Sequence, residues 1–548
     1  THTKLYTDAY PLTGQGYPQA RDFMFKTLDE GVAWWMYIGH ANTTSLTHEG
    51  LLKLNDINNM YLRKWPIFFA ATCDFLRWDA NAVSAGELMW AHESGGCIAQ
   101  VSANRPVYIS ENAYMSRAMG RNMFTRDSDG RRLTIGEIYR RAKNSSKVSD
   151  SGVMMSDANK LRYILMGDPA MRPAMPEQEI VVDLINGTEP GGDEQAIMQA
   201  RQNVTVEGRV LDSDGNTMTG FNGTIASTLY DAEYSITTLA NGGEKDGVPV
   251  GKAVTFEQHG NRLFAGNDSV KAGRFKVHVA MPSSISNNFR EATISLVAKS
   301  DAGSMTADYA AGANRGFYVF GTDESVSDTI PPVIKSIYLN HPSFRSGDQV
   351  NATPMLIAEI ADNRGINMNT SGVGHQMNVL IDGNRSYSDV AEYYTPAADG
   401  SPSGIIAYQL PQLEEGAHSL RLRIWDTSDN SNSETIDFYV SPDRAPVLYD
   451  VYSDANPASV QANFYLSHDR PDAQVEVTIS IYDMLGQPVW ESVTNGRSDM
   501  YLTSPVTWNL QDRAGHRVTR GIYLYRASIR EGDNVSNTLT HRIAVTGN

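Results

Sequence analysis

The chain has 548 residues, of which 41% are hydrophobic and 20% charged, and a formal net charge of -17 from Lys+Arg 46 against Asp+Glu 63. At roughly 150 residues per domain, this length predicts three to four domains. The negative charge and the lack of a basic run with interleaved aromatics exclude nucleic acid as a partner, and no apolar run is long enough for a helix to cross a bilayer.

The 2 cysteines, Cys73 and Cys97, are too few for disulfides to hold such an architecture together. The chain opens on Thr1 rather than on a start methionine or a charged-then-apolar leader, so a processed chain with residues upstream is expected. From residue 1 to about 176, helical and strand patterns alternate. "GVAWWMYIG" (31–39) and "PIFFAATC" (66–73) are short apolar runs of the buried-strand type. Between them Leu51, Leu54, Ile57 and Tyr61 recur at helical spacing, which predicts a strand, a helix and a strand joined by a right-handed crossover. A helix over "AVSAGELMWAHES", a buried strand in "GGCIAQVSA", helices near 110–124 and 134–143, and a strand in "LRYILMGDP" follow. The pattern predicts an α/β subdomain with a mostly parallel sheet.

After Pro176, Gly, Asp, Asn and Ser punctuate short alternating runs such as "NVTVEGRVL" and "GRFKVHVAM", which read as antiparallel β-structure. "TIPPVIKSIYL" and "VSPDRAPVLYDVY" mark boundaries near 330 and 442. The remainder is therefore divided into 177–330, 331–442 and 443–548, each expected to be a β-sandwich of the Ig-like kind.

In an open parallel sheet, functional residues gather at the carboxyl ends of the strands. Two apolar strands here end in reactive residues, Gly39-His40 and Thr72-Cys73, and the separation 73 - 40 = 33 suits one crossover. An imidazole beside a thiol can take its proton or, as imidazolium, stabilise the thiolate, giving a nucleophile for a peptide carbonyl. The backbone N–H groups of Gly39, Ala41 and Cys73 are the candidate oxyanion donors. A cysteine after an apolar strand is also a common buried hydrophobe, and a lone histidine is commonly structural. His48 is the rival base, expected near the start of the following helix on the surface. Cys97 is expected in the core, and Asp74 and Asp79 are either site carboxylates or solvated loop residues.

These residues resemble the gingipain-like cysteine peptidases of the caspase-type fold. In that family one strand ends in Gly-His, a second ends in the catalytic Cys, and the domain closes near a Leu-Gly-Asp-Pro motif, here "ILMGDPAMR" (164–172). "ELMWAHESGGCIAQVSANRPVY" and "TIGEIYRRAK" fit the same pattern, so the resemblance spans roughly residues 1–176. It implies that Cys73 is the nucleophile and His40 the base, with no cofactor required. This chain has Ala41 where the family commonly has glycine. The acid that orients the histidine would lie upstream of Thr1, with the first half of the peptidase region.

"IADNRGINMNTSGVGHQMNVLIDG" and "EYYTPAADGSPSGIIAYQLPQLEEGAHSLRLRIWD" resemble the downstream β-domains of family members that act in the type IX secretion system of Bacteroidetes, as do "FNGTIASTLYDAE" and "KAGRFKVHVAMP". The last segment, with "VEVTISIYDMLGQPVW" and "TWNLQDRAGHRVTRGIYLYRASI", is similar to that system's C-terminal secretion-signal domain. The resemblance implies a cell-surface, outer-membrane-associated sortase. Its partners would be the C-terminal signal domains of secreted cargo, an anionic lipopolysaccharide acceptor and an outer-membrane β-barrel anchor of the PorV kind. The alternatives are a secreted endopeptidase of the gingipain type and a non-catalytic surface adhesin or scaffold. His375 and His418 are read as structural. "DSDGN" (212–216) has the oxygens for a structural calcium ion, but the same residues are good turn formers, which is the preferred reading.

Overall fold

The computed structural model describes residues 2–62, 64–93, 95–145, 155–242, 244–245, 248–249, 251–301, 308–369, 374–387 and 389–546. The N-terminal region is built on a four-stranded sheet. Its strands are β1 (Trp34–Ile38), β4 (Ile67–Ala71), β5 (Ala99–Ala103) and β6 (Tyr163–Met166), in that spatial order. The pairs β1–β4 and β4–β5 are parallel, and β6 closes the sheet antiparallel to β5. Every residue of the two central strands is buried, including Gln100 and Ser102 of β5, as expected of strands in a parallel sheet covered on both faces. The mostly parallel sheet expected from the sequence is thus present.

Helices α1 (Pro18–Glu30), α3 (Ala85–Ala91), α4 (Ile109–Met123), α5 (Ile135–Asn144) and the short α6 (Asp157–Arg162) accompany the sheet. Ser84 caps α3 in a capping box with Glu87, and the Thr134 hydroxyl caps α5 through the Glu137 N–H. The crossover between β1 and β4 differs from expectation. In place of a long helix it contains a hairpin, β2 (Ser45–Leu46) and β3 (Leu52–Lys53), followed by the five-residue α2 (Leu54–Asn58). Gly50, at φ +65°, turns the chain out of any helix there, while Leu51, Leu52 and Ile57 still reach the core. Arg21 of α1 holds this hairpin through a bidentate bond to Asp56 and through the carbonyls of Gly50 and Leu51.

Residues 177–330 were expected to form a β-sandwich, and the structure corrects this to a closed seven-stranded barrel. Its strands run in the order Gly223–Tyr230, Arg262–Lys271, Arg274–Ala280, Asn203–Leu211, Gln178–Ile185, Tyr309–Asn314 and Thr293–Ser300. The last pairs with the first and removes the sheet edges. The region 331–442 is a sandwich of a four-stranded and a five-stranded sheet, and 443–548 is a second sandwich of a three-stranded and a five-stranded sheet. Their inner faces follow the alternation read in the sequence, as in Ala462–His468, where every second residue is buried.

Candidate active site

The parallel ladder between β1 and β4 pairs Trp34 with Ile67 and Ile38 with Ala71, a constant offset of 71 - 38 = 33. His40 and Cys73 have the same offset, so each lies two residues beyond the last ladder pair, at the carboxyl ends of adjacent strands. The fold therefore brings these two predicted residues to one end of the sheet, and it carries Gly39 and Ala41 there with them. His40 is exposed and Cys73 half-buried against the core beneath α4.

The histidine loop is held through its backbone. The Tyr37 hydroxyl donates to the His40 carbonyl at 2.6 Å, and the Thr47 N–H donates to the same oxygen at 2.9 Å. Tyr37 is buried, which pushes its hydroxyl pKa upward and keeps it a neutral donor. Gly39 is needed beside it, since a Cβ there would stand 2.5 Å from the Tyr37 hydroxyl. Asn42 then closes the loop by accepting from the N–H groups of Thr44 and Ser45, at 2.8 and 2.9 Å. The Thr43 carbonyl accepts from the Ala85 N–H at 2.7 Å, which anchors the loop to the start of α3. Among the described residues, no carboxylate is hydrogen-bonded to the His40 ring. His48 does not open a helix as expected. It sits in the turn of the β2–β3 hairpin, exposed, with its ring centroid 6.0 Å from that of His40.

Cys73 has partners that the sequence reading missed. The Val107 N–H donates to Sγ at 3.3 Å, and the thiol can donate to the Val107 carbonyl at 3.6 Å. One backbone unit therefore offers Sγ both a donor and an acceptor. The loop bearing Val107 is tied down by Arg105, which forks onto Asp79 at 2.9 and 2.5 Å, and by Arg162, which bonds the Pro106 carbonyl. Asp79 is thus an exposed structural partner of this loop. Asp74 follows Cys73 directly at φ +52°, a left-handed turn that Asp tolerates better than most residues. Tyr163, whose hydroxyl bonds Asn112 at 2.9 Å, has its pKa pushed upward by burial and, secondarily, by the nearby Cys73.

Cys97 is buried, as expected, with Sγ bonded to the Met89 carbonyl at 3.6 Å, and burial pushes its thiol pKa far upward. His375 bonds Asp429 at 2.9 Å and packs on Trp425, and His418 bonds Asp382 at 2.8 Å; both are structural groups of the 331–442 sandwich. In "DSDGN" the Asp212 carboxylate accepts from the N–H groups of Asp214 and Asn216 at 3.0 and 2.9 Å, which is turn chemistry.

With this geometry in hand, residues 1–174 match the family model of peptidase family C25. The match covers the N-terminal third of the chain. Among solved structures, the chain is 30% identical to dimeric latent PorU from Porphyromonas gingivalis, over 83% of this chain and 42% of that one, with a TM-score of 0.34. It is 14% identical to the complex of Porphyromonas gingivalis RgpB pro- and mature domains, over 53% of this chain and 57% of that one, with a TM-score of 0.26. The Arg-specific cysteine proteinase gingipain R matches at 13% identity over 53% of this chain and 56% of that one, with a TM-score of 0.26. The chain thus spans less than two thirds of the length of each of these structures. No curated protein sequence matches it.

Proposed function

We propose that the chain is the catalytic part of a cell-surface cysteine endopeptidase and sortase. It would remove the C-terminal signal domain from type IX secreted cargo and join the new carboxyl end to anionic lipopolysaccharide. The observation that carries the reading is the common offset of the β1–β4 ladder and of the His40/Cys73 pair, at the carboxyl ends of a sheet whose region matches the model of a cysteine peptidase family. In keeping with the resemblance, the sheet is assigned to the caspase type.

The reaction runs in two halves. Cys73 gives its proton to His40, and Sγ attacks the scissile carbonyl carbon. The resulting oxyanion is held by N–H groups drawn from Gly39, Ala41 and Cys73. Collapse expels the amine of the signal domain, which takes the proton back from His40, and leaves a thioester on Cys73. An amine on the surface glycan then attacks the thioester and restores the thiol with formation of an amide. Water in the same place gives hydrolysis, so peptidase and sortase chemistry share their first half. An outer-membrane β-barrel of the PorV kind would anchor the enzyme near its acceptor.

Expression of Cys73→Ala in place of the wild-type chain tests this directly. Cargo should then keep its signal domain and fail to acquire lipopolysaccharide. Normal processing would overturn the proposal, and indiscriminate cleavage of unrelated proteins by the wild-type chain would favour a gingipain-type endopeptidase instead.

A further inference from the structure

Away from the thiol site, three carboxylates converge where the barrel passes into the first sandwich. Asp328 lies in the connecting segment, Asp362 directly follows the strand Met355–Ala361, and Asp426 directly follows the strand Gly416–Trp425. One oxygen from each lies within 4.8 Å of the others, with the carboxylates of Asp362 and Asp426 buried and that of Asp328 half-buried. Three like charges at this spacing repel one another strongly where water is excluded.

Hydrogen bonds account for only part of this carboxylate oxygen. Asp426 Oδ1 accepts from the N–H groups of Ser428 and Asn430, each at 2.8 Å, and its Oδ2 accepts from the Asn430 amide at 2.7 Å. Asp328 accepts from the Ile330 N–H at 3.0 Å and from the Asn363 amide at 3.2 Å. Asp362 Oδ1 accepts from the N–H groups of Arg364 and Gly365, each at 2.8 Å. Its Oδ2, by contrast, is a buried atom with no hydrogen-bond partner. All the donors named are neutral. A buried carboxylate oxygen without a hydrogen-bond partner, in a cluster of three carboxylates, is suited to a cation.

We infer that Asp328, Asp362 and Asp426 form a calcium site that clamps the barrel to the first sandwich. The ligand set is all oxygen, which selects a hard cation over zinc or copper. Three protein carboxylates converging on one point suit calcium, whereas magnesium keeps most of its water and is bound through one or two carboxylates. Backbone carbonyls and water complete the six to eight ligands that calcium takes. The loops carrying Asp362 and Asp426 also touch the barrel directly. Arg364 donates to the Arg201 carbonyl at 3.1 Å, and the Ser283 N–H donates to the Thr427 carbonyl at 2.9 Å. A cation here would therefore bind linker, sandwich and barrel together.

The test uses the full chain, stripped with a chelator and dialysed against calcium or magnesium, with bound metal counted per chain. Asp362→Asn should bind one calcium fewer than wild type and should melt at the same or a higher temperature in chelator, since it relieves repulsion. Asp328→Asn, in the connecting segment, gives a second reading that does not disturb a strand end and should also lose the ion. At calcium ten times its dissociation constant, proteolysis of the wild-type connecting segment around 323–332 should slow about tenfold, in proportion to the open population. Wild type that binds no calcium, variants that bind as much as wild type, or magnesium that acts equally at the same concentration would each overturn the assignment.

Discussion

Replacing Gly39 by alanine and Tyr37 by phenylalanine, singly and together, measures how firmly the fold sets the His40 loop. Tyr37→Phe removes the 2.6 Å bond to the His40 carbonyl, which keeps the Thr47 N–H at 2.9 Å. One buried hydrogen bond of this kind is worth about 1 kcal/mol, so melting should fall by roughly 2–4 °C for a region of this size. Gly39→Ala puts a Cβ 2.5 Å from the Tyr37 hydroxyl and 2.9 Å from its ring carbon Cζ, so the tyrosine must move and the same bond is lost with added strain. A cost of about 2–3 kcal/mol follows for that overpacked site. In the double variant the 2.5 Å contact is gone and only the Cζ contact remains, so the two costs should fall short of their sum by about 1 kcal/mol. The assay is thermal or urea unfolding of the four chains, alongside the rate at which iodoacetamide modifies Cys73. Additive costs, or unchanged stability in Tyr37→Phe, would refute the idea that Tyr37 and Gly39 together fix the loop.

Other outcomes follow from charge and burial. Arg470 is fully buried and bonds Asp469 and Glu531; Arg470→Ala leaves Asp469 with Arg444 alone as its cationic partner and should cost about 1.5–3 kcal/mol by denaturant unfolding. His468 is buried in the same sandwich, and burial pushes its pKa down to about 4. Its contribution is complete above the unfolded value near 6.5 and is lost as pH falls toward 4; His468→Gln should flatten this acid dependence in melting experiments. Where α1 meets the first sandwich, burial and the charge of Glu392 push Glu30 up to about 7. Stability should therefore fall as pH rises from about 4.5 to 7, and Glu30→Gln should remove that slope and gain about 1 kcal/mol at pH 8 after allowance for solvent screening.

The parallel sheet was legible because β4, "IFFAA", is apolar throughout, which fits only a strand covered on both faces. The placement of His40 and Cys73 at neighbouring strand ends was legible for a related reason: a fixed ladder offset in a parallel pair is a separation in sequence. The β2–β3 hairpin was not, since Leu51, Leu54 and Ile57 mimic a helical stripe and only the backbone of Gly50 betrays the turn. Barrel closure was equally hidden. The alternation of Asn203–Leu211 serves a barrel and a sandwich alike, and the difference lies in the non-local pairing of Gly223–Tyr230 with Thr293–Ser300. Val107 escaped notice because it serves Cys73 through its main chain, which carries no side-chain signature. Asp328, Asp362 and Asp426 come from three separate segments, and no short motif holds them together.

The central claim is that His40 acts on Cys73, and the most direct measurement is the alkylation of Cys73 by iodoacetamide at neutral pH in wild type and His40→Ala. An ordinary thiol is only a few per cent ionised there, so a partner that takes its proton can be worth up to about 30-fold in rate. Fast modification of Cys73, none of the buried Cys97 in the native chain, and a drop of about tenfold or more on loss of His40 are expected. Equal rates in the two chains would contradict the claim.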